Sequence, residues 1–282
     1  MALAVELIFF GGDDRGLFGC YHEPLPPARE CAFVLCPPHG HEDIQFHRVL
    51  RQLAVLLSEA GFPVLRFDPT GCGDSVGDSD DWGLARWQGD VGAAMDELRQ
   101  RSGVHRVGLV GLRLGASVAT TAAAARSDID SLVLWDPVIS GADYLAELRG
   151  LHQGMLAHAH VTPQPVSKSG TPEAAHDAAH DGISTDEELL GYPMPARLSA
   201  ELSSLDLASL TERPARRALL VESNRAADQG PLATSLGALG TALDHEQVSN
   251  PHLWVWNEDF AKVHVPRKIL ELIVAWASEV YP

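Results

Sequence analysis

The sequence predicts an α/β fold, a mostly parallel central sheet with helices on both faces. Three observations predict it. Short apolar runs alternate with amphipathic segments along most of the chain, the rhythm of strand–helix–strand units. One run, Cys31–Cys36 (CAFVLC), is apolar at every position, as a strand buried on both faces requires. A third run, Val107–Val110, passes directly into Gly111-Leu112-Arg113-Leu114-Gly115 and then into an Ala-rich helix. That is a sharp strand-to-helix turn framed by glycines.

The elements follow in order. Ala4–Phe10 reads as a strand, Gly11-Gly12-Asp13-Asp14 as a turn, and Gly16–Tyr21 as the return strand of a hairpin. After Cys31–Cys36, the apolar spacing of Phe46–Ala60 predicts a helix that stops at Gly61. Pro63–Phe67 is a short strand and Trp82–Arg101 an amphipathic helix. Arg106–Val110 is a strand, Leu114–Arg126 a helix and Leu132–Trp135 a strand. The rhythm then breaks. From Ser140 to Arg213 the chain is richer in His, Ser, Pro and Ala. Val161–Asp186 reads as a polar loop and Leu198–Leu210 as a short helix. The rhythm returns with strand Ala215–Glu222, helix Leu232–Leu239, strand Leu243–Val248 and a final amphipathic helix Val265–Val280. The expected organisation is a core of residues 1–139 and 214–282, with residues 140–213 inserted as a lid between the sixth and seventh strands.

Composition bounds the function. The chain has 282 residues, 45% of them hydrophobic, and a formal net charge of -17. That length buries a core without disulfides or metals. The negative charge argues against a nucleic-acid partner, which calls for a basic face. The four cysteines, Cys20, Cys31, Cys36 and Cys72, lack paired zinc-site spacing and read as reduced structural thiols. No apolar stretch reaches the ~18 residues of a membrane span. The first residues lack the basic start of a signal peptide. A cytoplasmic protein with no membrane partner, no metal and no cofactor is expected.

Around the Arg113 turn, two more loops follow strands. Pro37-Pro38-His39-Gly40-His41 follows CAFVLC, and Phe67-Asp68-Pro69-Thr70-Gly71-Cys72-Gly73-Asp74-Ser75 follows the next strand. Together these motifs resemble the α/β-hydrolase superfamily. The first loop resembles the His-Gly loop that supplies an oxyanion N–H, and the second the R-G-x-G-x-S loop. Gly111–Gly115 resembles the G-x-S-x-G nucleophile elbow, with Arg113 in place of serine. Leu134–Gly141 (LWDPVISG), Tyr144-Leu145, Leu189-Leu190-Gly191-Tyr192 and the elbow are similar to the exosortase A system-associated hydrolase 2 group and its S33 serine aminopeptidase-like relatives. The likeness runs from about Cys31 to Trp276.

In that superfamily a triad runs in the order Ser, Asp or Glu, His. By position the resemblance implies Asp228 as the acid, with Asp136 as the alternative, and His252 as the base, with His264 second. Asp136 before Pro137 also reads as a turn organiser. Arg113 stays protonated and has no lone pair to offer an acyl group. Ser117, one turn down the helix, and Cys72 are the other nucleophile candidates, and each reads better as structural. Set at a helix N-terminus, Arg113 with the N–H groups of Leu114 and of the His39-Gly40-His41 loop would suit a carboxylate or phosphate. The equal alternative is a buried salt bridge from Arg113 to Asp136, Asp228 or Glu222.

Three readings of function follow. One is a pseudoenzyme or non-classical member binding an anionic or acyl-type small molecule. The second is an active hydrolase, thioesterase, lyase or acyltransferase that uses His252 and Asp228 without a covalent serine. The third is a non-catalytic interaction protein; a homodimer or a partner protein is left open. The His-dense stretch His152, His158, His160, His176 and His180 reads as solvated lid rather than metal site. The acidic run Asp74–Asp81 reads as a turn rather than a calcium loop. Trp135, Trp254 and Trp256 line an acyl site or fill the core.

Overall fold

The computed structural model describes residues 4–12, 16–158, 187–223, 228–250, 254 and 265–282. Eight strands form one sheet: β1 (Val5–Phe10), β2 (Leu17–His22), β3 (Cys31–Cys36), β4 (Val64–Phe67), β5 (Arg106–Leu112), β6 (Ser131–Trp135), β9 (Arg217–Glu222) and β10 (Ala242–Gln247). Their order across the sheet is β1-β2-β4-β3-β5-β6-β9-β10. The β1–β2 hairpin and the β2–β4 pair are antiparallel, and every other pair is parallel. Each expected strand lies within two residues of an observed one.

The helices cover both faces. Along β3 the side chains alternate as a pleat demands. Ala32, Val34 and Cys36 face one core with α2 (Leu84–Ser102) and α3 (Leu114–Ala124), and Cys31, Phe33 and Leu35 face the other with α1 (His41–Glu59) and α7 (Arg267–Val280). The strand is apolar throughout because neither face meets water. Helix α7 buries Ile269, Leu270, Ile273 and Trp276, each contributing roughly 1.5–3 kcal/mol by removal from water. A short helix, α6 (Gly230–Ala238), lies between β9 and β10.

Three elements depart from expectation; one is the helix read over Leu198–Leu210, which spans Ala196–Ser203 and is followed by a separate 3₁₀ turn at Leu207–Ser209. Helix α1 starts at His41, not Phe46. Its first turn carries His41, Glu42 and Gln45, all polar and all buried, so apolar periodicity does not mark it. Between β6 and β9 the chain inserts α4 (Gly141–His158), a hairpin of β7 (Glu187–Leu189) and β8 (Tyr192–Met194), and α5 (Ala196–Ser203). Sequence pattern does not reveal α4, whose Gly150 and Gly154 each weaken a helix by ~1 kcal/mol relative to Ala. It is held by packing instead: Tyr144, Leu145 and Leu148 join the core on the α2–α3 side. Its start is pressed onto α5, where a Cβ on Gly141 would sit 1.9 Å from the Leu202 carbonyl oxygen. The polar stretch 161–186 lies outside the described residues. No helix among the described residues is long and apolar enough to cross a membrane.

Candidate functional site

The turn between β5 and α3 places Arg113 above the carboxyl edge of the sheet. Its backbone has φ 49 and ψ -121, a region that costs a non-glycine residue about 1–3 kcal/mol. The neighbouring glycines make the turn sterically feasible. A Cβ on Gly115 would lie 2.1 Å from the Pro37 carbonyl oxygen, and one on Gly111 2.3 Å from the Ala116 Cα. The Arg113 N–H donates to the Trp135 carbonyl at 3.0 Å, and its own carbonyl accepts from the Ala116 N–H at 3.1 Å.

The Arg113 side chain is only 7% exposed. Its Nε donates to Glu42 Oε1 at 2.8 Å, and its Nη2 donates to Glu147 Oε2 at 2.6 Å. Glu42 comes from the first turn of α1 and Glu147 from α4. The Tyr144 hydroxyl donates to the other Glu42 oxygen at 3.1 Å. The guanidinium also lies over the Tyr144 and Trp254 rings, 5.3 and 5.5 Å from their centroids. Burial opposes the charge on Arg113, but Glu42 and Glu147 outweigh it and raise its pKa above the ordinary arginine value. The expected salt bridge is present with other partners: Glu42 and Glu147 take the places foreseen for Asp136, Asp228 or Glu222. The signal for them was weak, since both are far from Arg113 in sequence and sit in turns that the apolar pattern does not mark.

Asp136 follows β6 with φ 43. One carboxylate oxygen accepts from the Ser223 N–H at 2.8 Å, and the other accepts from the Ser223 hydroxyl and, at 2.5 Å, from the Trp254 indole N–H. It is a cross-strand brace between the ends of β6 and β9, more than a local turn organiser. Arg113, Trp254 and Asp136 thus follow one another in space, the guanidinium over the indole ring and the indole N–H on the carboxylate. A guanidinium does not attack a carbonyl, and an indole N–H donates but has no lone pair to receive a proton. Trp254 stacks on Phe46 at 4.1 Å, and Trp135 packs edge-on beside both. These two tryptophans are core residues. Trp256 lies outside the described residues, as do His252 and His264.

Asp228 is exposed, and its Oδ1 accepts from the Gly230 N–H at 2.9 Å, at the start of α6. It shares with Arg113, Asp143, Tyr144 and Glu147 the wall of a cleft of about 480 Å³. The other residues expected at the site lie elsewhere. His39, Gly40 and Leu114 line a separate small pocket of about 30 Å³ that shares no lining residue with the cleft. His41 is buried at the start of α1, where burial lowers its pKa, against Glu42 and together with Arg113.

The minor candidates resolve plainly. The Ser117 hydroxyl donates to the Val138 carbonyl at 2.7 Å inside the core. Burial pushes the Cys72 thiol up to about 12, so it is not a thiolate nucleophile at neutral pH. All four cysteines are free. His152 accepts from the Leu190 N–H at 3.0 Å. His160, His176 and His180 lie outside the described residues, and only the backbone of His158 is described. Among the described residues, no three His, Cys, Asp or Glu side chains are grouped to hold a metal. Within the acidic run, Asp78 and Asp81 cap a short 3₁₀ turn at Ser79–Asp81.

Comparison with known proteins gives these features a family. Residues 38–220 match the Hydrolase_4 family, serine aminopeptidase S33. The human Protein ABHD12B is 31% identical over 131 residues, 45% of this chain; the chain spans 35% of the length of that relative. Among solved structures, Est1E from Butyrivibrio proteoclasticus with ferulic acid bound superposes with a TM-score of 0.63 at 14% identity, covering 96% of this chain and 98% of that one. The Pyrococcus furiosus esterase Pf2001 gives 0.61 at 15% identity, covering 98% and 91%. Mouse alpha/beta hydrolase domain-containing protein 10 gives 0.57 at 14%, covering 98% of each chain. With a matched span of well over half its length and a sheet in this order, the chain belongs to the S33 serine aminopeptidase family of the α/β-hydrolase superfamily.

Proposed function

We propose that this protein is a non-hydrolytic member of its family, a pseudoenzyme that binds an uncharged acyl-type molecule in the cleft beside Arg113. One observation carries the reading. The elbow holds a guanidinium committed to Glu42 and Glu147, beside an indole that donates to Asp136. An acyl-enzyme needs a nucleophile with a lone pair and a base to take its proton, and this line of residues supplies neither. Charge selects the ligand. Asp143, Glu147 and Asp228 border the cleft with Arg113, so a carboxylate would have to displace Glu147 and face two further acids. Pro137, Val138, Ile139 and Pro231 give an apolar wall suited to an acyl chain.

A second reading keeps catalysis, with His252 activating water and Asp228 assisting. It is favoured by the place of Asp228 on the cleft wall. One experiment separates the two. The protein is exposed to a fluorophosphonate probe and to ethyl butyrate, followed by ligand-observed NMR. The first reading expects no labelled serine, binding of the ester and no release of butyrate. A labelled serine near the cleft, or absence of binding, overturns it. Butyrate release that stops in His252→Ala establishes the second reading instead.

A further inference from the structure

The small pocket beside the elbow differs from the cleft in one respect: two of its polar side chains, His39 and Asp43, carry groups without a hydrogen-bond partner among the described residues. His39 is 8% exposed, and its Nε2 is buried with no hydrogen-bond partner among the described residues. Its ring is fixed from two sides, 4.5 Å from the Trp82 ring and 4.8 Å from the Trp87 ring. Asp43, half-buried in the first turn of α1, lines the same pocket. Its carboxylate forms no hydrogen bond or ion pair among the described residues. The remaining wall is largely apolar, including Phe67, Trp87, Val91 and Val118. Cys72 lines it as a neutral thiol. The Tyr192 ring from β8 lies beside the lining residue Gly40, 3.6 Å from where a Cβ on it would be.

Buried polar atoms without partners are uncommon, and each loses its hydration for nothing unless a ligand or water meets it. One such atom, His39 Nε2, and one half-buried carboxylate on the same pocket, set in an apolar wall, describe the complement of a small amphipathic molecule. The chemistry narrows it further. Burial holds His39 neutral, with a pKa lowered to about 4, while burial and then Asp68 push Asp43 up to about 7. No Lys or Arg lines the pocket among the described residues, so a carboxylate has no counter-charge there. A neutral imidazole Nε2 either donates or accepts according to its tautomer. A hydroxyl group meets both cases, since it can donate to one partner and accept from the other.

We propose that this pocket binds the hydroxyl end of a small uncharged alcohol, with Asp43 and His39 as its two hydrogen-bonding partners and the apolar wall around its carbon chain. At about 30 Å³ the pocket admits a head of a few heavy atoms. The inference concerns a space separate from the Arg113 cleft and stands whether or not the protein hydrolyses esters.

The test is a titration of the full chain with 1-propanol, followed by the indole N–H signals of Trp82 and Trp87 in ¹⁵N-edited NMR. Propylamine, propionate and 1-chloropropane serve as comparisons of equal chain length. A saturable shift with propanol is expected, with each comparison binding about tenfold more weakly or worse, as the loss of a buried hydrogen bond implies. His39→Phe keeps the ring packed between the tryptophans and removes Nε2; Asp43→Leu removes the carboxylate. Each is expected to weaken propanol binding by about tenfold. A linear, non-saturating shift in the unaltered protein overturns the proposal. So does equal or tighter binding of propylamine, propionate or chloropropane, and so does unchanged affinity in both folded variants. The ligand comparison uses only the unaltered protein, so a variant that fails to fold does not shield the idea.

Discussion

The cleft at Arg113 and the pocket at His39 flank the same elbow, and they are built on opposite principles. At Arg113 each charge has met its counterpart: one guanidinium, two carboxylates, a tyrosine hydroxyl and two aromatic faces. At His39 a ring nitrogen is buried without a partner among the described residues, and a half-buried carboxylate lines the same small space. A satisfied buried cluster is architecture, because disturbing it exposes charge. An unsatisfied one is receptive, because something arriving there completes it. Polar burial alone therefore does not locate a binding site; the pairing state of the buried groups does.

The contrast can be broken most strongly at Arg113. Arg113→Met keeps an unbranched side chain and removes the charge, which strands Glu42 in the interior. Loss of one partner from a buried pair typically costs about 3–5 kcal/mol, and urea unfolding is expected to show a loss of that order. Adding Glu42→Gln is expected to recover a large part of it. A single variant within about 1 kcal/mol of the parent, the range of a surface pair, would show that the cluster holds little.

Next in size is the Asp136 brace. Asp136→Asn removes the charge that accepts from the Ser223 backbone and hydroxyl and from the Trp254 indole. Hydrogen bonds to charged groups contribute about 1.5–3 kcal/mol each. A net loss of about 2–3 kcal/mol is expected, because the amide still serves part of the set. A changed Trp254 emission should accompany it; unchanged stability and emission would remove the brace.

The last test sharpens the other side of the comparison, and it is one of sign. The Asp43 carboxyl is raised from 3.8 to about 7 in the folded protein, so the folded state holds its proton longer than the unfolded state. Its contribution to stability is therefore present at low pH and lost as the pH climbs from about 4 to 7. His39, lowered from 6.5 to about 4, acts in reverse over the same window: its contribution is present above 6.5 and lost as the pH falls toward 4. The two partly cancel in the parent. Asp43→Asn keeps only the His39 arm, so the stability of the variant relative to the parent should rise between pH 4 and 7. A flat difference across that window would mean that the carboxyl is not desolvated.

Much of this was legible in the sequence. The eight strands of the sheet could be read because strands such as β3 and β6 are buried on both faces and spell it out in apolar residues. The elbow was legible because Gly111 and Gly115 are sterically compelled. The partners of Arg113 were not. Glu42 sits in a helical turn that is buried yet polar, and pattern reading equates burial with apolarity. Glu147 sits on α4, whose glycines mask a helix held by Tyr144, Leu145 and Leu148. Trp254 read equally well as core or as acyl-site lining; its bond to Asp136 spans 118 positions of chain, and no spacing rule reaches across that distance.

The strained backbone at Arg113 has a consequence for anyone who would build an esterase on this scaffold. Arg113→Ser would inherit the right φ and ψ, but it would place a hydroxyl against two unneutralised carboxylates and an indole that accepts no proton. The design unit is therefore not one residue but a set. Glu42 and Glu147 would have to lose their charge with the arginine, and Trp254 would have to yield to an imidazole in contact with Asp136. The turn sets where a nucleophile would stand, and its neighbours set what can stand there.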